Sequence, residues 1–478
     1  MMRKKLHLFY QNLIIFGFTG FVFLSCNNRS MEGMVILSQA PEIHEEVNYS
    51  SGSSWRYLPE SRIVAIDPND SEASATLLSE SYYSACAPEI SYDANFIIFS
   101  GQKNKGEIWQ IYEMDLADLK VRQITSSNEN CTDPAYLPGG RILYSKSNID
   151  ETGNTGHALF TCSLDGSEVK QITFNPNAYF ASSILQDGRV LSISRELYPE
   201  TKEGQLMVLR PDGTKAELFY QGAKGSNLYS SAAETSQGKI ILIETDATSE
   251  KTGKLIAFDY NRPMHSRVEL SKDMQGSFNS LRQQNNGNLL VSYKASENQS
   301  YGLYEFDIEN KVLKNALYLD EKFNAVEAFK VEVKTRPKKI PSEVNMDSDS
   351  GLLLCQDIDF SGYDHLKKDS LISKGVKIEI LGLDSSLGIV DVEKDGSVYL
   401  KVAADLPFQI QTLDKNGNVV NGPGSWIYIR PNERRGCVGC HQGNEMVPDN
   451  KQPLAVLKEP VVIPQLSRLI VEAKVESE

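Results

Sequence analysis

Apolar residues in this chain come in short runs that follow polar turns at nearly constant spacing. Tyr92-Asp93-Ala94-Asn95 precedes Phe96-Ile97-Ile98-Phe99, Pro138-Gly139-Gly140-Arg141 precedes Ile142-Leu143-Tyr144, and Gln186-Asp187-Gly188-Arg189 precedes Val190-Leu191-Ser192. The same pattern returns at Ser236-Gln237-Gly238-Lys239 before Ile240-Ile241-Leu242 and at Asn285-Asn286-Gly287-Asn288 before Leu289-Leu290-Val291. Positions 94, 140, 188, 238 and 287 are separated by 46, 48, 50 and 49 residues. A second run follows at a fixed offset: Ile111 to Asp115, Leu159 to Ser163, Leu206 to Arg210, Leu255 to Asp259 and Leu303 to Asp307. Each then meets a turn and another strand, as in Leu164-Asp165-Gly166 leading to Val169-Lys170-Gln171-Ile172-Thr173. Short runs rich in β-branched and aromatic side chains between Gly, Asn and Asp clusters are strand signals.

A period near 50 residues with about four short strands per unit predicts a β-propeller, whose blades pack their faces on one another. Five blades are complete in sequence. Arg62 to Ile66 with Ala75 to Leu78 supplies outer strands before the first, and Val326 to Val331 supplies inner strands after the last. Joined, these make a sixth blade that closes the ring, whereas an open β-sandwich array would leave both ends dangling. The propeller is placed at residues 55–340. Beyond Lys334 to Pro341 the period disappears, and residues 341–478 predict a small β-rich domain with strands at Val376 to Leu381, Ile389 to Val392, Val398 to Val402 and Phe408 to Leu413. Turn signals at Asp395-Gly396-Ser397 and Lys415-Asn416-Gly417 separate the later strands. The fold class expected is therefore all-β, a six-bladed propeller followed by this smaller domain.

Ser425-Trp426-Ile427-Tyr428-Ile429-Arg430 leads into Cys437-Val438-Gly439-Cys440-His441, a C-x-x-C-H run of the kind that attaches c-type haem. Two thiols three positions apart reach the two vinyl groups of one porphyrin, and the adjoining imidazole meets the iron. With seven Cys and six His in 478 residues, a shuffled chain would contain such a run about 0.001 times. The competing interpretations are a Cys437–Cys440 disulfide or dithiol and a zinc site. The first lacks a thioredoxin-like βαβ context, and the second lacks another C-x-x-C pair. One covalent haem c is expected, with His441 as the iron ligand through neutral imidazole. The opposite face is left open among Met446, His157, His265, His365 and no protein ligand. Arg430, Arg434 and Arg435 are candidates to pair with haem propionates, because guanidinium meets carboxylate in a two-pronged way; a solvated basic patch is the alternative.

Arg3-Lys4-Lys5, the apolar stretch Leu13 to Leu24 and Leu24-Ser25-Cys26 have the form of a lipoprotein signal over residues 1–25, with lipid attached to Cys26. An ordinary N-terminal anchor helix is the alternative. Either sends the remainder out of the cytoplasm, where covalent haem attachment takes place in bacteria, and the expected location is the periplasmic side of the cell envelope. Residues 26–54, including Ser50-Ser51-Gly52-Ser53-Ser54, are expected as a polar tether. The net charge of −14 and pI near 5.1 argue against nucleic-acid binding.

Cys86 and Cys131 precede Pro88 and Pro134 at matching points of successive blades, either bridged or as separate buried thiols. Cys162 and Cys355 are expected in the core. Asp133 and Asp187 are assigned to turns. No Ser-His-Asp set or carboxylate pair emerges, and no catalytic residue is assigned.

Asp395-Gly396-Ser397, Val402 to Phe408, Ser425-Trp426 and Arg430 to His441, with Gly351-Leu352-Leu353-Leu354-Cys355 and the blade turns, resemble the middle domain of the hydrazine synthase alpha subunit family. The resemblance implies a six-bladed, TolB-like propeller joined to a domain holding one c-type haem. It departs at Glu445, where the synthase family carries a Tyr that ligates this haem, and the chain is expected to stop short of the synthase's third domain and second haem. Hydrazine synthesis is accordingly not expected. Three functions follow: a lipid-anchored haem protein exchanging electrons with a partner protein or acting on a small molecule; a non-enzymatic envelope module binding a partner through the propeller; and a zinc enzyme using His441 and the thiols.

Overall fold

Polar turns and apolar runs fold as successive antiparallel hairpins. The computed structural model describes residues 31–43, 47–70, 74–149, 155–201, 203–246, 252–358, 375–439 and 450–464. The second sheet in chain order is Ser84–Ile90, Phe96–Gln102, Gln110–Asp115 and Val121–Gln123, each strand pairing with the next. The third runs from Cys131–Leu137 to Lys170–Gln171, the fourth from Asn177–Ile184 to Glu217–Tyr220, the fifth from Ser226–Leu228 to Val268–Glu269, and the sixth from Ser277–Gln283 to Val312–Tyr318. In the second and third strands of these sheets side chains are buried on both faces, which is why Ile97, Ile98 and Phe99 are consecutive and fully enclosed. The fourth strand of the second sheet, Val121–Gln123, is short and exposed, whereas that of the sixth, Val312–Tyr318, runs for seven residues.

The first sheet is composite. Its order is Asn324–Lys330, Val35–Ala40, Arg62–Ile66, Thr76–Leu77, so strands from both ends of this region lie side by side. Asn324–Lys330 in turn touches both Ser84–Ile90 of the second sheet and Ser277–Gln283 of the sixth, which places the composite sheet between them. The joining of early and late strands matches the sequence expectation, but the tether at 26–54 is corrected. Val35–Ala40 is buried along its whole length and pairs on both sides. Tyr49 and Trp55, which flank the Ser/Gly run, are each 2% exposed; Tyr49 Oη donates to Leu228 O at 2.9 Å and Trp55 Nε1 to Tyr229 O at 3.0 Å. Burying two large aromatic side chains outweighs the flexibility that the Ser/Gly composition suggests. Cys26 and the signal segment lie outside the described residues. Among the described residues no helix is long and apolar enough to cross a membrane.

Residues 331–345 run back across the turn tips. Lys334 N donates to Tyr92 O at 3.0 Å and Lys338 N to Gln186 O at 3.1 Å. Gly188 is required here: φ is +92°, and a Cβ would stand 2.0 Å from Lys338 O. The smaller domain then forms two sheets, ordered Arg434–Cys437, Ser350–Cys355, Val398–Ala403, Val461–Ile463 and Ser386–Asp391, Lys377–Leu381, Gln409–Leu413, Val419–Asn421. They enclose Leu353, Ile378, Ile380, Leu400, Val402, Phe408 and Ile429. If Val35–Ala40 is structural, Ile36→Ala should lower unfolding free energy by about 3 kcal/mol in denaturant titration; an unperturbed tether would give no change.

Candidate functional site

The haem-attachment run begins on an edge strand. Arg434–Cys437 pairs in parallel with Ser350–Cys355, in the register Leu352 with Arg434 through Cys355 with Cys437. Alternation along the strand puts Cys437 on the same face as Arg435, toward the apolar cluster of Leu353, Val398 and Leu400, where it is half-buried. Cys440, His441, Glu445 and Met446 lie outside the described residues.

The three arginines separate in role. Arg430 is 5% exposed; its Nη1 donates to Asp405 Oδ1 at 2.6 Å, its Nε to Asp212 O at 3.1 Å, and its guanidinium sits 4.6 Å from the Phe174 ring centre. Burial raises the Asp405 carboxyl pKa above its ordinary value despite the attraction of Arg430. Arg435 Nε and Nη2 both donate to Glu433 Oε1, at 2.9 and 2.7 Å. Both guanidiniums are thus held by carboxylates inside the protein. Arg434 points to solvent and makes no ion pair among the described residues, so it alone of the three has its guanidinium available.

Glu433 fixes this segment to the propeller. It is fully buried, and besides Arg435 it accepts Arg430 N at 2.8 Å through Oε2 and Lys215 N at 2.8 Å through Oε1. Nearby, the Tyr428 hydroxyl lies 2.9 Å from Gly213 O and 3.1 Å from Ile172 O, and Trp426 N donates to Glu196 Oε1 at 3.3 Å. A half-buried thiol at the last residue of an edge strand, in a segment docked on the propeller through Glu433 and Tyr428, fits covalent haem attachment at Cys437.

A second polar constellation fills the axis of the six sheets. The innermost strands bend where Ala87, Asp133, Ala181 and Glu327 take positive φ, at 51°, 52°, 51° and 53°. These residues sit at register shifts in their sheets. The bends turn backbone N–H groups away from the ladder. Ala181 N donates to Asp133 Oδ2 at 2.7 Å, Ala87 N to Glu327 Oε2 at 2.7 Å, and Glu327 N to Ser280 Oγ at 2.8 Å. Each amide is thus satisfied by a side chain of the preceding sheet. Arg56 enters from the 47–58 segment with Nη2 2.6 Å from Asp133 Oδ1 and 3.3 Å from Glu327 Oε1. Asp133 is therefore a buried axial carboxylate and not the turn residue expected; Asp187 does sit in its turn, accepting Arg189 N at 2.9 Å. The missed signal was the spacing of Ala87, Asp133 and Ala181, 46 and 48 residues, which repeats the turn spacing. Toward the turn tips a chamber of about 440 Å³ includes Glu89, Arg282, Lys334 and Glu234 in its lining. Burial lowers the Lys334 ammonium pKa, opposed by Glu89.

His157, considered as a distal haem ligand, is locked into the propeller. Nδ1 faces Ser50 O at 3.2 Å and must donate to it, so Nε2, 3.0 Å from Tyr57 Oη, accepts. Burial lowers its pKa to about 4. Cys86 and Cys131 are separate buried thiols whose pKa values burial raises, with Cys86 Sγ near Arg56 O at 3.4 Å and Cys131 Sγ near Glu129 O at 3.6 Å. Cys162 is buried, as expected. Among the described residues no group of three His, Cys, Asp or Glu side chains is arranged to hold a metal ion.

Two outcomes test this geometry. Glu433→Ala should cost about 3 kcal/mol or more by stranding Arg435 and two amides, whereas Glu433→Gln, which keeps an acceptor, should cost less; denaturant titration and faster exchange of the Lys215 amide would register both. Because His157 titrates near 4 when folded and near 6.5 when unfolded, the unfolded chain binds the extra proton between those values. That contribution, about 3 kcal/mol, is present above pH 6.5 and is lost as pH falls toward 4. Thermal melts from pH 7 to 4.5 should decline more steeply for the wild type than for His157→Gln.

Residues 328–442 match the family model described as the hydrazine synthase alpha subunit middle domain. The hydrazine synthase alpha subunit of Kuenenia stuttgartiensis is 23% identical over 538 residues, covering 86% of this chain and 66% of that protein, so the chain spans just under two thirds of its length. The solved hydrazine synthase of the same organism superposes with a TM-score of 0.77 at 21% identity, over 89% of this chain and 71% of the other. TolB from Acinetobacter baumannii aligns over 64% of this chain and 67% of its own at 16% identity, with a TM-score of 0.44. Residues 328–442 are thus similar to the middle domain of the hydrazine synthase alpha subunit, and the chain as a whole shares the fold of that protein.

Proposed function

We propose that this is an exported, lipid-anchored c-type haem protein in which a six-bladed propeller carries a small β domain, and that it moves electrons or performs redox chemistry on a small molecule. The observation that carries the proposal is the coincidence, within the family segment 328–442, of the C-x-x-C-H run with a half-exposed thiol at the end of an edge strand. Six consecutive sheets, the composite one joining first and last strands, support the blade count. The Cys26 signal supports export.

In this proposal Cys437 and Cys440 hold the porphyrin through thioethers, His441 offers imidazole to the iron, and Arg434 faces a propionate. Haem would supply a one-electron change at iron and a place for a small ligand. The protein's own part is to hold the attachment strand still. Glu433 and Tyr428 dock it on the propeller, and the apolar cluster around Leu353 and Leu400 keeps water from one side of Cys437. Hydrazine synthesis, the activity in the relative's name, is not proposed: Glu445 stands where the family resemblance requires Tyr.

The test is the visible spectrum of the mature protein made with a cytochrome c maturation system. A pyridine haemochrome of c type that disappears in Cys437→Ser with Cys440→Ser is expected. A shift on adding carbon monoxide to the reduced protein would assign it to ligand chemistry, and an unshifted band to electron transfer. A colourless wild-type protein would sink the proposal and leave the propeller as a partner-binding module.

A further inference from the structure

One further thiol lies near the attachment run and packs at the margin of the apolar cluster. Cys355 ends the strand Ser350–Cys355 and is the register partner of Cys437 in the parallel pair. Parallel neighbours lie about 4.8 Å apart, inside the Cα separation of roughly 4.4–6.8 Å that a disulfide spans. Register partners also point to the same face of a sheet. Here that face is the one bearing Leu353, Val398 and Leu400, and both cysteines pack at its margin. The pairing is held beyond the cysteines as well: Gln356 N donates to Cys437 O at 2.9 Å, so the strand ends do not splay. Both residues are half-buried, which leaves them within reach of a small oxidant, unlike the fully enclosed Cys86, Cys131 and Cys162.

We propose that Cys355 and Cys437 form a reversible disulfide in the haem-free protein, and that this cross-link withholds Cys437 from haem attachment until it is reduced. The consequence for haem rests on the haem proposal above; the cross-link itself does not. The oxidant is a disulfide such as oxidised glutathione. The thiolate of one cysteine attacks it, forming a mixed disulfide and releasing one glutathione thiolate. The second cysteine then attacks the protein-bound sulfur, forming the Cys355–Cys437 bond and releasing the second glutathione. Two protons leave the cysteines and two electrons pass to glutathione. Thioether formation adds a thiol across a vinyl group, and a sulfur bonded to another sulfur has no S–H to add. The two fates of Cys437 exclude one another, and the redox state of the surroundings selects between them.

The experiment uses the full mature chain made without haem maturation, reduced, freed of reductant, exposed to oxidised glutathione, alkylated and digested with trypsin without reduction. Cys355 lies in peptide 340–367, and Cys437 with Cys440 in peptide 436–451. The expected product is these two peptides linked, released by dithiothreitol. Because the second peptide carries two cysteines, Cys440→Ser is run in parallel and should still yield the link, while Cys355→Ser should lose it. Alkylated Cys355 in both the wild type and Cys440→Ser, or a bond only between Cys437 and Cys440, overturns the proposal. Unchanged thermal unfolding of Cys355→Ser and Cys440→Ser in reductant shows that the variants fold. Ferrous haem is then supplied to oxidised and reduced protein. At least tenfold less covalent haem on the oxidised wild type, with no such difference in Cys355→Ser, is expected. Equal loading of oxidised and reduced wild type refutes the competition. No haem on any sample, together with no haemochrome in protein made with a maturation system, refutes the haem proposal and leaves the peptide result to stand by itself.

Discussion

The pairing of Val35–Ala40 with Asn324–Lys330 is the constraint on which the remaining architecture depends. Without it the second and sixth sheets would each expose an apolar face, because the composite sheet that touches both would be missing. Strands separated by almost 300 positions must meet, so loop-closure entropy is spent late, when the other sheets already offer surfaces to pack against. The reward is burial of Ile36, Leu37, Ile63, Val64, Ala325 and Phe329 from both directions.

Convergence of the innermost strands creates a polar problem between the sheets. The innermost strands converge and bend, and their freed amides face a space where water is scarce. The chain answers with side chains passed from sheet to sheet, Asp133 to Ala181 N, Ser280 to Glu327 N and Glu327 to Ala87 N. A buried carboxylate, Asp133, and a partly buried one, Glu327, need a counter-charge there. Arg56 provides it, bidentate on Asp133, from a segment anchored by Tyr49 and Trp55. The N-terminal segment thus both completes a blade and stoppers the axis.

The same logic of buried charge mounts the second domain. Glu433 has no solvent exposure and gathers Arg435, Arg430 N and Lys215 N, the last from the propeller. Arg430 is held between Asp405 and the propeller carbonyl of Asp212. Charges that the sequence offered to a cofactor are instead consumed in positioning the strand that carries Cys437. This division of labour leaves Arg434 exposed on the strand and Cys437 at its end, and gives positioning to the others.

Periodicity in the chain determined the blades, because repeated strands with both faces buried leave repeated apolar runs between polar turns. It determined four strands of the smaller domain by their alternation but not Ser350–Cys355, Val419–Asn421, Arg434–Cys437 or Val461–Ile463, and the spacing of Cys437, Cys440 and His441 displayed the C-x-x-C-H run without any fold. The pairing of a late strand with early ones was also legible, from the incomplete units at each end. Val35–Ala40 was not, although Val35-Ile36-Leu37 is apolar, since a single strand beside a Ser/Gly run has no repeat to mark it. Nor could the fates of Arg430, Arg434 and Arg435 be told apart: three guanidiniums within six positions are chemically alike, and only the approach of Asp405 and Glu433 distinguishes them. The axial set of Arg56, Asp133 and Glu327 and the meeting of Cys355 with Cys437 join residues 77 to 271 and 82 positions apart. Tertiary structure alone decided these, because a local pattern fixes which face a residue takes, and only packing over long separations fixes what stands opposite it.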